Sequence, residues 1–272
     1  MTDNELDNIF SKLDLNEKDF LDYSDNEDDG NQGEICELRV IKKIFRLMTD
    51  GNTQILKKIF GKDAEENIIL YNSVKQEIKN TKDITKAPPG TKSDFIIKFI
   101  KTDNYMNISI KSKYASPPAI LNHTPRSAVV FSENGDLFNQ LILLDEIVKI
   151  MNLKRSNKEV GEDININKLN LNDTQKQCII NIIKYFIFEG SGSKKSISPA
   201  NSILEIYNIH NINEWKFILC NSYELKNNYV NLIYDKLILS IRNKGMPKKI
   251  SDYCKPWLFN TKNGSLHIRI KK

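Results

Sequence analysis

The feature that most constrains the fold is a pair of strand patterns on either side of a short polar turn, within residues 93–113. SDFIIKFIK alternates weakly between apolar and polar residues, whereas NYMNISIKSK alternates well and directs Met106, Ile108 and Ile110 to one face. Thr102, Asp103 and Asn104 are typical turn residues. The segment therefore predicts an antiparallel hairpin that packs on a core through one face.

Helical and strand patterns alternate along the rest of the chain. The stripe Ile35, Leu38, Ile41, Phe45 and Met48 predicts a helix over about 33–48. The other expectations are an ambiguous, helix-like stretch at 50–80, a loop at 84–93, helices at about 136–153 and 172–188 (the latter capped by Asn172 or Asp173), a flexible basic turn in GSGSKKS, strands at about 203–208 and 215–220, a mixed stretch at 225–242, and a C-terminal β-hairpin of KPWLFNT and SLHIRIKK about Asn263-Gly264. This mixture predicts the α/β (α+β) class, with no firm boundary for a second domain.

Composition excludes several classes of protein. The 272 residues are 40% hydrophobic and 28% charged, which is typical of a globular protein. The sequence contains no apolar run of the roughly 18 residues that a membrane helix needs, and MTDNELDNIF carries no signal-peptide pattern. Four cysteines without C-x-x-C spacing, together with three histidines, disfavour a structural zinc site. We therefore expect a cytoplasmic protein with no membrane partner.

Charge is distributed unevenly along the chain. Residues 1–34 carry a net charge of −10, and because the whole chain carries +5, the remainder carries +15. The last 32 residues contain nine lysines and arginines and one acid, Asp252. A basic body favours polyanion partners, of which the nucleic-acid backbone is the commonest. A solvated surface in a lysine-rich chain would give the same counts.

Three polar residues on the predicted hairpin suggest chemistry. Asp94 opens the first strand, Ser109 and Lys111 share one face of the second, and the hairpin would place Asp94 beside Ser109. Mg²⁺ prefers hard oxygen ligands, for which Asp94 and the carbonyl of Ile110 are candidates. Lys111 would position a water and stabilise charge on a phosphate. Alternatively, the acid and the lysine are ordinary surface residues, since short motifs often arise by chance.

The order Glu37 on a helix, then Asp94, then Ser109-Ile110-Lys111 resembles the E…D…(D/E)xK arrangement of the PD-(D/E)xK nucleases. Within that superfamily the chain resembles the MspI-like four-base cutters among the type II restriction endonucleases, in which an amide replaces the second carboxylate. Ser109 is a further departure, because serine is a weak metal ligand. The resemblance implies a central mixed sheet flanked by helices and a catalytic set of Asp94, Ser109, Lys111 and Glu37.

Four other segments carry the same resemblance. GEICELRVIKKIF resembles the family's early glutamate helix, and NDTQKQCIINIIKYFIF resembles a mid-chain helix that opens with a Thr-x-x-Gln-like sequence. KSKYASPPAILNHTPRSA resembles a segment that follows the active site in many restriction enzymes, and KPWLFNTKNGSLHIRIKK lies where the family has a DNA-contacting hairpin. The implied organisation is an acidic N-terminal extension or helical arm (1–32) and a single nuclease domain (33–272), with its catalytic core at about 33–150 and DNA-recognition elements at about 112–127 and 190–272.

The resemblance implies a Mg²⁺-dependent, site-specific endonuclease that cuts double-stranded DNA at a short palindrome as part of a restriction-modification system. A cognate DNA methyltransferase would be a functional partner, and the chain would act as a monomer or homodimer. A structure-specific repair or recombination nuclease and a non-catalytic DNA-binding module are the alternatives. Candidate DNA contacts are the polar and basic residues of two segments, namely Lys113, Tyr114, Ser116, Asn122, His123 and Arg126, and Lys255, Asn260, Thr261, Lys262 and Arg269. Any single lysine among them could equally be a generic phosphate contact or a solubility charge.

Overall fold

The computed structural model describes residues 32–61, 68–113, 119–122, 130–131, 134–191, 194–242 and 265–271. The chain divides into two compact units that are interleaved in sequence. The first unit comprises residues 1–87, 94–116 and 202–218, and the second comprises 88–93, 117–201 and 219–272. Because each unit is assembled from separate segments, a boundary between them is not visible as a break in the sequence.

The described residues contain five α-helices and eleven strands. The helices are α1 (Gln32–Thr49), α2 (Thr53–Phe60), α3 (Leu141–Ser156), α4 (Asp173–Lys184) and α5 (Tyr223–Tyr234). The strands are β1 (Ile68–Asn72), β2 (Phe95–Phe99), β3 (Asn104–Ser112), β4 (Ala119–Asn122), β5 (Ile164–Asn165), β6 (Gly190–Ser191), β7 (Lys194–Lys195), β8 (Ser202–Ile206), β9 (Trp215–Leu219), β10 (Leu237–Arg242) and β11 (Ser265–Ile270).

The first unit is built on a five-stranded sheet in the order β1-β2-β3-β8-β9. The pairs β1–β2 and β2–β3 are antiparallel, whereas β3 and β8 are parallel, so the sheet is mixed. Helices α1 and α2 contribute to the same hydrophobic core as one face of this sheet. The expectation of a mixed sheet flanked by helices, in the α+β class, is confirmed at this level.

The hairpin predicted at residues 93–113 is confirmed. Phe99 pairs with Asn104, and the turn between them places Asp103 at φ +53°, a left-handed conformation that aspartate tolerates better than most residues. Ile108 and Ile110 are buried in the core, and Met106 packs against it, as the alternating pattern predicts. Burial of one face fixes the register, because a slip of one residue would turn these side chains away from the core.

The second unit contains a four-stranded sheet in the order β4-β11-β10-β5, the two-stranded sheet β6–β7, and helices α3, α4 and α5. Helix α4 begins with a capping box, in which the Asn172 side chain accepts from the Gln175 N–H and the Gln175 side chain accepts from the Asn172 N–H. This resolves the predicted choice of cap in favour of Asn172. The helix continues into one turn of π-helix at Tyr185–Glu189.

The structure corrects the predicted C-terminal hairpin. β11 pairs antiparallel with β10 on one side and with β4 on the other, so it is an interior strand of the second unit's sheet. Leu266, Ile268 and Ile270 are buried, which accounts for the alternation read from the sequence. The proposed partner, KPWLFNT, and the Asn263-Gly264 turn lie outside the described residues, and local turn chemistry does not reveal a distant strand partner such as β4.

The structure also differs from the sequence predictions in several smaller elements. The ambiguous stretch at 50–80 contains the short helix α2 and then strand β1, and the helix expected at 136–153 starts as a 3₁₀ turn at Phe138–Gln140 before α3. The GSGSKKS turn contains the paired strands β6 and β7. Residues 1–31, including the predicted N-terminal arm, lie outside the described residues. Within the part of the chain that the structure describes, no helix is long and apolar enough to cross a membrane.

Candidate functional site

Asp94 is fixed against β3 by two hydrogen bonds. It immediately precedes β2, and its backbone N–H donates to the Ile108 carbonyl at 2.8 Å. Its carboxylate oxygen Oδ2 accepts from the Ile110 N–H at 2.6 Å. Just before β2 begins, the Asp94 side chain thus accepts the hydrogen bond that a backbone carbonyl of a paired strand would otherwise accept. A hydrogen bond to an ionised acceptor is stronger than one between neutral groups, so the carboxylate is held in one position.

Ser109 and Lys111 lie beside this carboxylate, as the hairpin predicted. Phe95 pairs with Ile108, which brings Asp94 next to Ser109 across the two strands. The Lys111 ammonium donates to the Ser109 hydroxyl oxygen at 2.8 Å. Ser109 is only 2% exposed, whereas Lys111 is half-buried. The charged end of this half-buried lysine is therefore tied to the serine.

Glu37 on α1 is the second acid of this cluster. The pKa of its carboxyl is raised to about 8, first by burial and then by the negative charge of Asp94, while Lys111 opposes the shift. Two carboxyl groups that repel each other in a half-buried place are costly unless a proton or a cation is shared between them. The helix stripe places Glu37 there because Cys36, Val40 and Ile41 on the adjacent positions are buried in the core.

The donor atoms of the cluster suit a hard divalent cation. They are the Asp94 and Glu37 carboxyl oxygens, the Ser109 hydroxyl and the Ile110 carbonyl, all oxygen. In a strand, a residue's N–H and C=O are directed to the same side, so the Ile110 carbonyl faces the side on which its N–H meets Asp94. Among the described residues no group of three or more histidines, cysteines or acids has the spacing of a metal site. A cation here would have to use backbone, hydroxyl and water ligands besides the two carboxyl groups.

Lys113, a predicted DNA contact, lies in a buried ion pair. Its ammonium is 2.8 Å from a Glu205 carboxylate oxygen, and the two side chains are 6% and 3% exposed. It also donates to the Tyr207 hydroxyl at 2.8 Å, and this hydroxyl donates to Glu205 at 2.9 Å. The Tyr207 ring centroid is 4.5 Å from the Lys113 ammonium. A DNA phosphate would have to compete with these partners, and the DNA contact stays a prediction.

Arg269 is the one other predicted DNA contact whose side chain is described. It lies on β11 in the second unit, half-buried, and its Nε atom is buried without a hydrogen-bond partner within the described ranges. For Asn122 the structure describes the backbone alone, paired with His267. The remaining predicted contacts lie outside the described residues, namely Tyr114, Ser116, His123, Arg126, Lys255, Asn260, Thr261 and Lys262.

Sequence reasoning missed Glu205 and Tyr207. Both belong to the segment Ser202–Tyr207, where every residue of β8 is buried. A glutamate within an otherwise apolar strand is a signal that could have been noticed, because buried acids require a partner. The partner itself could not be deduced, since it depends on the parallel pairing of β8 with β3, which are about 90 residues apart in the sequence.

Neither the protein-family models nor the curated proteins and solved structures compared with this chain gave a match.

Proposed function

We propose that this protein is a Mg²⁺-dependent endonuclease that hydrolyses phosphodiester bonds of double-stranded DNA. The observation that carries the proposal is the grouping of Asp94, Ser109 and Lys111 on β2 and β3, with Glu37 close enough to be influenced by the charges of Asp94 and Lys111. Acids, a lysine and a backbone carbonyl at one place on a sheet are what metal-assisted phosphate hydrolysis needs. The resemblance to the PD-(D/E)xK arrangement, in the same residues, adds support.

Each residue of the cluster has a distinct task in this proposal. Asp94 and the Ile110 carbonyl would hold Mg²⁺, which supplies charge neutralisation at the phosphate and a lower pKa for the attacking water. Lys111 binds the scissile phosphate and orients the water with its ammonium, using donors not engaged by Ser109. Ser109 keeps that ammonium near the metal ligands through their 2.8 Å hydrogen bond. Glu37 would contribute a second carboxyl group to the metal site, directly or through a water.

At a finer level, we propose a type II restriction endonuclease with the PD-(D/E)xK core that cuts at a short palindrome, in a system with a cognate methyltransferase. The support is the resemblance along residues 35–272, which is densest at 92–127. The mixed sheet of the first unit is compatible with such a core. Duplex DNA is the partner that the basic body of the chain favours.

The test combines a plasmid digest with substitutions in the cluster. We expect the purified protein with Mg²⁺ to cut a fully sequenced plasmid into discrete fragments, whose sequenced ends define one site. We expect Asp94→Ala and Lys111→Met to abolish cleavage while gel-shift binding of the same DNA persists, because neither residue forms part of the core. The exposed residues Asp50 and Lys101 offer controls of the same types, and Asp50→Ala and Lys101→Met should cleave normally.

The outcomes separate the competing functions. Cleavage of branched or mismatched substrates alone would indicate a structure-specific nuclease. Sequence-dependent binding with no cleavage in any divalent metal would indicate a non-catalytic DNA-binding module. Near wild-type cleavage by either Asp94→Ala or Lys111→Met would remove the proposed site.

A further inference from the structure

Two lysines at the end of β3 are held by different partners. Lys111 donates to Ser109, as described above, whereas Lys113 is bound by Glu205 and Tyr207. The two lysines are two residues apart, so their side chains lie on the same face of the sheet. The Lys113 backbone N–H donates to the Ile206 carbonyl at 2.7 Å, which continues the pairing of β3 with β8 past the last residue of β3.

Glu205 is the register partner of Lys111, not of the lysine that it binds. The parallel pairing of β3 with β8 aligns Lys111 with Glu205. Neighbouring strands lie about 4.8 Å apart, and a lysine stem of four carbons can span that distance. A carboxylate buried to this extent requires a cationic or hydrogen-bonding partner. If Lys113 were absent, Lys111 would be the cation on the adjacent strand, in register with it.

Tyr207 closes a triangle that keeps Glu205 with Lys113. Its hydroxyl accepts from Lys113 and donates to the same Glu205 oxygen that contacts the ammonium. Its ring also lies within cation–π distance of Lys113. All three pairwise contacts are thus made within one small group, so Lys113 and Tyr207 both bind the Glu205 carboxylate, whereas Lys111 donates to Ser109.

We propose that Lys113 is a positioning residue that neutralises Glu205 and thereby leaves Lys111 to Ser109 and to the scissile phosphate. This inference rests on the proposed function, because it concerns the orientation of the lysine that acts there. It differs from the sequence prediction, in which Lys113 contacts DNA. The two interpretations differ in what they predict for a variant in which both Lys113 and Glu205 are neutralised. A positioning role predicts that this double variant regains its cleavage rate, whereas a DNA contact predicts that its DNA affinity stays low.

The experiment compares Lys113→Met, Glu205→Gln and the double variant for single-turnover cleavage rate, DNA dissociation constant and melting temperature. Methionine keeps most of the volume of the lysine stem, and glutamine is isosteric with glutamate. We expect Lys113→Met to cleave about 100-fold more slowly with an unchanged dissociation constant, because Lys111 turns to Glu205. The double variant should regain most of the rate, since the competing carboxylate is gone. Glu205→Gln alone should retain most of the wild-type rate, and Lys113→Arg should behave like the wild type.

Several results would overturn the inference. A folded double variant as slow as Lys113→Met would mean that Lys113 is needed for itself. A dissociation constant that rises in Lys113→Met and stays high in the double variant would identify a DNA contact. Equal losses of rate that follow melting temperature in both single variants would identify a purely structural pair. Normal cleavage by Lys113→Met overturns this inference alone, whereas a wild-type protein that never cleaves overturns the proposed function as well.

Discussion

The carboxyl group of Glu37 should make the stability of this protein fall as pH rises, and replacing it with glutamine should abolish this contribution. Its pKa is raised from 4.5 to about 8, first by burial and then by the charge of Asp94. In the unfolded chain the group ionises near 4.5, whereas in the folded protein it stays protonated up to about 8. The unfolded state therefore binds fewer protons across this window, so the free energy of unfolding decreases from about pH 4.5 to pH 8 and then levels off.

The size of this effect follows from the shift in pKa. One unit corresponds to about 1.4 kcal/mol, so the difference between 4.5 and about 8 corresponds to an upper limit of about 5 kcal/mol above pH 8. The side chain is half-buried and Lys111 opposes the shift, so water and that charge reduce the figure to a few kcal/mol. Glu37→Gln removes the ionisation, and the variant should be more stable than the wild type at pH 9 by this amount.

Urea unfolding of both proteins between pH 5.5 and pH 9, in EDTA, measures the difference directly. Glu77→Gln is the control, because Glu77 is an exposed carboxylate in the same unit and its replacement should leave the pH profile unchanged. Asp94→Asn should move the Glu37 midpoint to lower pH, since Asp94 is the second contribution to the shift. A stability difference between Glu37→Gln and wild type that does not change with pH would refute the raised pKa of Glu37, and an unchanged midpoint in Asp94→Asn would refute the proximity of the two acids.

Three other perturbations test separate parts of the structure. Gly190→Ala should destabilise the second unit by about 1–3 kcal/mol, because an added Cβ would lie 2.0–2.4 Å from atoms of the buried Tyr185 side chain. The control Gly161→Ala, whose Cβ meets nothing within 4 Å, should have a melting temperature near that of the wild type. Equal melting temperatures for the two variants would contradict this packing. Burial raises the pKa of the Cys178 and Cys220 thiols to about 12, so both should resist a thiol reagent at pH 8 until the protein unfolds, and rapid labelling of either in the folded state would contradict their burial. Ser109→Asp should reach its maximal cleavage rate at lower Mg²⁺ than wild type, because it adds a carboxylate to the metal ligands; an inactive Ser109→Asp beside an active Ser109→Ala would show that the serine does not occupy a ligand position.

Local patterns predicted the parts of the fold that depend on neighbouring residues. The helix at Gln32–Thr49, the hairpin of β2 and β3, and the strands β8 and β9 follow from periodicity and from turn chemistry over a few residues. The same hairpin brought Asp94, Ser109 and Lys111 together, so this part of the candidate site was predictable from spacing alone. The functional assignment of these residues stays a prediction.

Pairing between distant segments was not predictable in this way. β11 was expected to pair with the segment just before it, but its neighbours are β4 and β10. Likewise, the Glu205 partner of Lys113 depends on the parallel pairing of β3 with β8. Long-range pairing is decided by how the whole chain buries its apolar faces, which a window of ten residues does not contain. For this reason Lys113 looked like a free surface cation in the sequence.

The balance of charge around Lys111 explains how a serine is accommodated at position 109. Burial and the charge of Asp94 together raise the pKa of Glu37, and a third acid at position 109 would add to the repulsion in the absence of a cation. Ser109 instead accepts a hydrogen bond from Lys111 without adding charge. Glu205, the acid on the other side of Lys111 in register, is neutralised by Lys113. The cluster thus keeps two carboxyl groups and one ammonium, which is the charge distribution on which the proposed binding of one divalent cation and one phosphate relies.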